Sequence, residues 1–322
     1  MEDIMYKRIS RIFFFLTLSL ILTVAVAAAD KTNKVKIAKV GWTGVTIKSE
    51  IAEFTLDNLG YEVDNVTMSV PIVYAALSTK DADFFLGNWM PSMANIADKY
   101  FEDGTVIQYC KNMPGAKYTL AVPSYCIDMG LKDFSDISKF GDELEWKIYG
   151  IEAGNDGNKV IHKMIDNDMF GLGEFKLVPS SEMAMLAQVQ SYAKEKKPIV
   201  FLGWAPHSMN ERIDMTYLTG STAETFGPND GSATVWTNTR VGLEKEMPNV
   251  ALYLRNLDFP VSMINQIMTQ LHEDNTLSPR EAGLKWVSNH PEKYKEWLKG
   301  VKTFDGKPAL DVFEAALSKA VQ

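Results

Sequence analysis

From residue 34 onward, short β-prone runs alternate with stretches of helical periodicity, and this order leaves few architectures open. Residues 34–40 (Lys-Val-Lys-Ile-Ala-Lys-Val) alternate in the β manner, 47–59 carry apolar residues at helical spacing and stop at Gly60, and 61–69 read as a second strand. A short helix over 71–78, a buried strand over 84–87 and a helix over 93–101 follow. The β-α-β-α-β order implies a parallel sheet with helices on its faces, and ligands of such sheets sit beyond the carboxyl ends of the strands. The pattern repeats with strands at 118–122, 147–151, 175–179 and 198–202 and helices at 131–138, 159–167 and 181–194. The last of these groups Met183, Met185, Leu186, Val189 and Tyr192 on one face, a core pattern rather than a Met-rich binding surface. The C-terminal third reads as helices at 250–257, 261–272, 278–289, 291–299 and 310–321.

The N-terminus has the marks of a targeting segment. Lys7, Arg8 and Arg11 precede an uncharged apolar run over 12–26, and Ala27-Ala28-Ala29 offers a small-residue cleavage site before Asp30. The run is short for a membrane anchor, and Asp30-Lys31-Thr32-Asn33-Lys34 follows at once. No cysteine lies near the site, which excludes a lipoprotein anchor. Cleavage near Ala29 leaves an expected exported, periplasmic chain of 293 residues. The full chain carries a formal net charge of −8, which argues against nucleic acid and anionic lipid as partners.

Two α/β units in one exported chain suggest two lobes with a cleft between them. Crossovers near 113–116 and 227–232 would give lobe one as 30–114 plus 231–322 and lobe two as 115–230, a layout with two hinge strands that closes on a ligand. Cys110 and Cys126 match no zinc spacing. They sit in or beside runs (106–110 and 118–125) that can pair as a hairpin around Asn112-Met113-Pro114-Gly115, so a disulfide and two separate buried thiols both remain open.

Four aromatic residues lie near Gly, Asn or Pro in loop-like settings: Trp42 in Val-Gly-Trp-Thr-Gly, Trp89 in Leu-Gly-Asn-Trp-Met-Pro, Tyr118 in Gly-Ala-Lys-Tyr-Thr, and Trp204 in Phe-Leu-Gly-Trp-Ala-Pro-His. Any one tryptophan alone reads as core. Three that each follow a β-prone run point to a shared site, because function concentrates on such loops. Trp146, Trp236, Trp286 and Trp297 lack that setting, and Trp286 and Trp297 read as helix packing residues. Ring faces gathered in a cleft make a cage for a cation without N–H donors, a quaternary ammonium. The histidines, His162, His207, His272 and His290, show no metal-ligand spacing, and no nucleophile or phosphate-loop motif is present. His207, just after Trp204, reads equally as a donor that holds a loop or as an ordinary, partly exposed histidine.

These stretches, with Gly-Ile-Glu-Ala-Gly-Asn-Asp-Gly at 150–157, resemble the periplasmic choline- and glycine-betaine-binding proteins of ABC importers, most nearly the choline-binding branch. The resemblance implies an α/β, two-lobed, type II-like periplasmic-binding-protein fold, each lobe a mainly parallel sheet flanked by helices. It implies an aromatic box of Trp42, Trp89, Tyr118 and Trp204, a polar role for Asn155 near the ligand's other end, no cofactor or metal, and an ABC permease with its ATPase as partners of a monomer. It implies transport rather than catalysis. A sensory binding domain for methylated amines and, more remotely, an exported enzyme are the rival readings.

One position departs from that branch. Its acidic residue after the Trp-Thr pair is replaced here by Gly44, which removes an acceptor for a choline hydroxyl and a repulsion against a carboxylate. Thr43 and Thr46 add hydroxyls beside the start of a helix, which favours an anionic group. The expectation is a zwitterion such as glycine betaine ahead of choline. The opposing reading is that Gly44 only shapes a turn and Glu152 or Asp156 supplies the missing acid.

Overall fold

The computed structural model describes residues 30–322, so the leader read over 1–29 lies outside the described residues. Strand β1 (Lys34–Lys39) is followed by α1 (Thr43–Asn58), β2 (Glu62–Thr67), α2 (Val70–Thr79), β3 (Phe84–Met90) and α3 (Ala94–Glu102). In α1 the residues Val45, Ile47, Ile51, Ala52 and Phe54 are buried, and the chain leaves the helix at Gly60, whose φ of 93° suits glycine. Strand β4 (Val106–Pro123) leads into β5 (Lys147–Tyr149), α4 (Asp156–Asp166), β6 (Lys176–Val178), α5 (Glu182–Lys194), β7 (Val200–Ala205), β8 (Met215–Tyr217) and β9 (Ser232–Arg240). Helix α4 is capped by Asn155 and α5 by Ser181, each side chain accepting a backbone N–H of its first turn. Within α5, Met185, Leu186 and Val189 are buried as expected, but Met183 is exposed, because two positions on a helix turn a side chain through about 200°. Over 131–138 the expected helix is a 3₁₀ segment, Phe134–Phe140.

The strands form one mixed sheet in the order β2-β1-β3-β9-β4-β7-β5-β6, with β8 on β4. Its two ends are parallel, β2-β1-β3 and β7-β5-β6, as the alternation predicts. The centre differs: β9 pairs antiparallel with both β3 and β4, and β4 pairs antiparallel with β7. Strand β9 was not anticipated, because its sequence, Ser-Ala-Thr-Val-Trp-Thr-Asn-Thr-Arg, is polar for a central strand. Its buried polar side chains are satisfied from their neighbours: Asn238 accepts from Asn88 Nδ2 at 3.0 Å, and Thr237 accepts from Asn112 Nδ2 at 3.0 Å.

The hairpin expected around 112–115 is absent, and β4 is one strand of 18 residues. Pro114 cannot donate to the ladder, and the register against β9 shifts between Met113 and Ala116, so the turn-like residues make a bulge instead. Cys110 and Cys126 therefore do not face each other across a hairpin. Both are free thiols: Cys110 lies against Leu254 O at 3.3 Å, and Cys126 is buried in the one-turn helix Tyr125–Met129, where burial pushes its thiol up to about 11.

Helices α6 (Pro248–Asn256), α7 (Val261–Glu273), α8 (Pro279–Ser288), α9 (Pro291–Trp297) and α10 (Ala309–Ala320) complete the chain. Helix α8 packs on α1, where Gly283 lets the two approach: a Cβ there would stand 3.0 Å from Ile51 Cγ1. Trp286 and Trp297 are buried, in line with their reading as packing residues. Arg240, the last residue of β9, anchors that end of the sheet through two ion pairs. Arg240 Nε meets Asp83 Oδ1 at 2.6 Å, Arg240 Nη1 meets Glu246 at 2.7 Å, and Asp83 Oδ2 accepts the Lys36 N–H at 2.7 Å. Arg240→Met leaves Asp83 buried without its cation and should cost about 3–5 kcal/mol in urea unfolding; a loss below about 1 kcal/mol would mean the pair is effectively solvated.

Candidate functional site

Three of the four rings are placed by strands rather than loops. Trp89 and Trp204 are the next-to-last residues of β3 and β7, and Tyr118 lies inside β4. The strands run further than their apolar runs suggest: β7 pairs through Gly203, and β3 resumes its pairing with β9 at Asn88 after a bulge that contains Gly87. Trp42 alone follows its strand, at the N-cap of α1. Tyr118 and Trp204 are direct cross-strand partners, with ring centroids 6.3 Å apart and planes at 78°. Trp89 stands 5.9 Å from Tyr118 on the other side, and Phe226 packs edge-on to Tyr118 from 5.6 Å. Tyr118 also lies against the start of α4, where only glycine fits: a Cβ on Gly157 would collide with the Tyr118 hydroxyl.

The four rings line a single cavity of about 480 Å³, its opening to solvent included. Trp42, Tyr118 and Trp204 are each less than a tenth exposed, and Met113, Ile151 and Ile264 close other walls. Gly44, Val45 and Lys48 form one further side. Gly44 is not a turn residue. It lies in the first turn of α1, where a Cβ would come within 3.3 Å of Met268 Cε and 3.7 Å of Ile264 Cγ2 on α7. Thr43 and Asn155 are brought close but do not line the cavity. Thr43 Oγ1 donates to Glu182 Oε1 at 2.6 Å. Asn155 Oδ1 accepts the Asn158 N–H at 2.8 Å and its Nδ2 donates to Glu152 O at 2.5 Å, so the amide is occupied in capping α4.

Carboxylates stand behind the rings. Glu152 accepts the Trp42 indole N–H at 2.8 Å, and burial holds its carboxyl above the usual range. Asp156 is fully buried and accepts the Ser92 hydroxyl with one oxygen, while its other oxygen and the Tyr118 hydroxyl lack partners. Desolvation pushes Asp156 up to about 6. His207 is buried rather than partly exposed. Its Nδ1 accepts the Met209 N–H at 3.0 Å, so Nε2 carries the proton and donates to Glu182 at 3.0 Å. Both ring nitrogens are engaged, so the histidine holds Glu182, which in turn holds Thr43.

Sequence reasoning missed Lys48, Glu182 and Ile264. For Lys48 a signal existed: it interrupts an apolar helix face one turn after Gly44. Ile264 had none, because it reaches the cavity only through the packing of α7.

A largely buried aromatic cavity at the ends of strands from both parallel halves of an α/β sheet defines a solute-binding protein of the two-lobed periplasmic type. The model of the substrate binding domain of ABC-type glycine betaine transport systems matches residues 33–289, and the chain belongs to that family. A solved ABC-transporter choline binding protein in complex with choline is 46% identical, with a TM-score of 0.86, covering 88% of this chain and 98% of that one. Lactococcal OpuAC, in its closed-liganded conformation with glycine betaine, is 26% identical with a TM-score of 0.73, covering 82% and 98%. The glycine betaine/carnitine transport binding protein GbuC of Listeria monocytogenes is 28% identical over 166 residues, 52% of this chain and 53% of that protein. Substrate-binding proteins of ABC importers work outside the cytoplasm. Among the described residues no helix is long and apolar enough to cross a membrane.

Lys48 also sets a pH dependence. Burial pulls its ammonium from 10.5 down to about 7, so between these values the unfolded chain binds more protons than the folded one. Stability from this group therefore rises with pH across that window. Urea unfolding of the wild type should gain on Lys48→Met between pH 7 and pH 10; a constant difference would mean that the lysine is solvated.

Proposed function

We propose that this chain captures a trimethylammonium compound, glycine betaine ahead of choline, and delivers it to a membrane permease and its ATPase. The observation that carries the reading is the convergence of Trp42, Trp89, Tyr118 and Trp204 on one buried cavity. A quaternary ammonium has no N–H to donate, so it binds through ring faces and methyl burial, and each face over a desolvated cation contributes roughly 1–2 kcal/mol. Three or four faces with methyl burial support micromolar binding, on the order of 8 kcal/mol. The carboxylates of Glu152, Asp156 and Glu182 add a negative field behind the rings. Gly44 at the open first turn of α1 favours an anionic end on the same ligand.

In this reading lobe one is 30–114 plus 231–322, lobe two is 115–230, and β4 and β9 are the strands that join them. Trp42 and Trp89 then belong to one lobe and Tyr118 and Trp204 to the other, so only the closed form surrounds the cation, and this differential contact shifts the equilibrium toward closure. The protein acts as an exported monomer, cleaved near Ala29.

Tryptophan fluorescence of the mature chain, titrated with glycine betaine, choline, trimethylamine N-oxide and proline, tests the proposal. Saturable binding of a trimethylammonium ligand but not of proline is the expected result, and binding of none would sink it. Trp204→Ala should weaken the best ligand at least about tenfold. Wild-type affinity in that variant would remove Trp204 from the site.

A further inference from the structure

Of the three carboxylates behind the rings, Glu182 is the one that takes side-chain donors from both sides of the cavity. It is the first residue of α5 and is 6% exposed. Its Oε1 accepts the Thr43 hydroxyl at 2.6 Å and the His207 Nε2–H at 3.0 Å, and its Oε2 accepts the Thr43 N–H at 3.4 Å. Thr43 opens α1 directly after Trp42. His207 lies against Trp204, with ring centroids 5.0 Å apart and planes at 64°. The Asn210 amide fixes that pair by donating to Trp204 O at 2.9 Å and to His207 O at 2.8 Å. A chain of contacts thus runs from one cage ring to another, through Trp204, His207, Glu182, Thr43 and Trp42. Helix α1 lacks what this chain supplies. No side chain of its own caps it and its first turn holds no acidic residue, whereas α4 and α5 carry their own caps in Asn155 and Ser181. A helix start favours a carboxylate, and the one at α1 arrives from a residue 139 positions away in the chain.

We propose that Glu182 is a positioning residue that latches the closed cavity: it caps α1 from across the cleft, holds Trp42 against Trp204, and adds the same increment of affinity for every ligand the cage takes. The inference rests on the two-lobe, trimethylammonium reading above, in which Thr43 belongs to lobe one and Glu182 and His207 to lobe two. Separation of the lobes breaks both Thr43 bonds and keeps the His207 bond, so the carboxylate stays aimed while the start of α1 loses its cap. Hydrogen bonds to an ionised acceptor are the stronger kind, and these two exist only when the cleft is shut. Glu182 does not line the cavity, so it acts through the rings and takes no part in the choice between ligands. Glutamine at this position keeps the shape but not the chemistry. Its amide nitrogen would be a donor set against either the Thr43 N–H or the hydroxyl and imidazole donors.

The test is titration and stopped-flow tryptophan fluorescence of the mature wild type and of Glu182→Gln, Thr43→Val and Thr43→Ser, with glycine betaine, choline and tetramethylammonium. Glu182→Gln and Thr43→Val should each weaken every ligand that binds by at least about tenfold, the loss expected for a hydrogen bond to a charged acceptor. The loss should lie in faster dissociation, with association little changed, because the latch forms after encounter and must break before release. Thr43→Ser, which keeps the hydroxyl, should recover most of the affinity. The double variant Thr43→Val/Glu182→Gln should be little worse than either single one, since both remove one bond. Unchanged affinity in the single variants, additive losses in the double, or a loss confined to one ligand would overturn the latch. Should Glu182→Gln fail to fold, the Thr43 pair decides alone: equal affinity in Thr43→Val and wild type overturns it. If the wild type binds no trimethylammonium ligand, the cage reading fails and the latch with it. If the wild type binds and the variants match it, the cage stands and the latch alone falls.

Discussion

The site depends on strand register. Tyr118 faces Trp204 because β4 and β7 pair residue for residue from Lys117 to Ala121, and Trp89 is fixed against Val235 of β9. Side chains on a strand alternate between faces, so a slip of one residue in either pairing would turn a ring out of the cavity. The bulges in β4 lie between Gln108 and Ala116, before the register that holds Tyr118. The strand is thus free to bend along its β9 partner while its pairing with β7 stays regular. Trp89, Tyr118 and Trp204 thus inherit their geometry from strand pairing, while Trp42 stands at the N-cap of α1.

Around that surface the polar groups are arranged in two unlike sets. Behind the rings, Glu152 and Asp156 each take one side-chain donor, an indole N–H and a serine hydroxyl, while Glu182 takes the Thr43 hydroxyl and N–H and an imidazole. On the α1 side, Lys48 is fixed by a backbone carbonyl and an amide, and Asn112 passes the chain of hydrogen bonds on to Thr237 of β9. Neither set neutralises the other by direct contact. Lys48 also lies 5.7 Å over the Phe259 ring, so its charge is held by a carbonyl, an amide and an aromatic face rather than by a carboxylate.

Much of the periphery was legible in the sequence. The parallel halves of the sheet follow from β-α-β order, and the helices after residue 248 follow from apolar periodicity and proline starts, because both signals are local. The three tryptophan motifs were legible for a related reason: Gly or Pro beside a ring after a β-prone run marks the end of a strand. The centre of the sheet was not legible. Strand β9 is polar because its side chains bond to Asn88 and Asn112, residues distant in the chain. Asn112-Met113-Pro114-Gly115 carries turn chemistry that a bulge uses equally well. Asn155 has the composition of a ligand contact but the geometry of a helix cap. Lys48 was hidden by habit, since a lysine in a helix is taken as solvated unless tertiary packing, absent from any sequence window, buries it.

The cross-cleft contacts bear on how such a cavity opens. Trp42 to Glu152, Thr43 to Glu182 and Ser92 to Asp156 each join a residue before 93 to one between 152 and 182. In the proposed two-lobe division all three cross the cleft. Two of them also carry a cost, since Glu152 and Asp156 are carboxyls raised by burial, and Asp156 keeps one oxygen without a donor. Hydrogen bonds that offset desolvation this incompletely hold two lobes together weakly. In the proposed division, a caged cation next to those carboxylates would add contacts that only the closed form makes. A ligand shifts such an equilibrium only by its differential affinity, so contacts from both lobes to one small cation are the economical way to couple capture to closure.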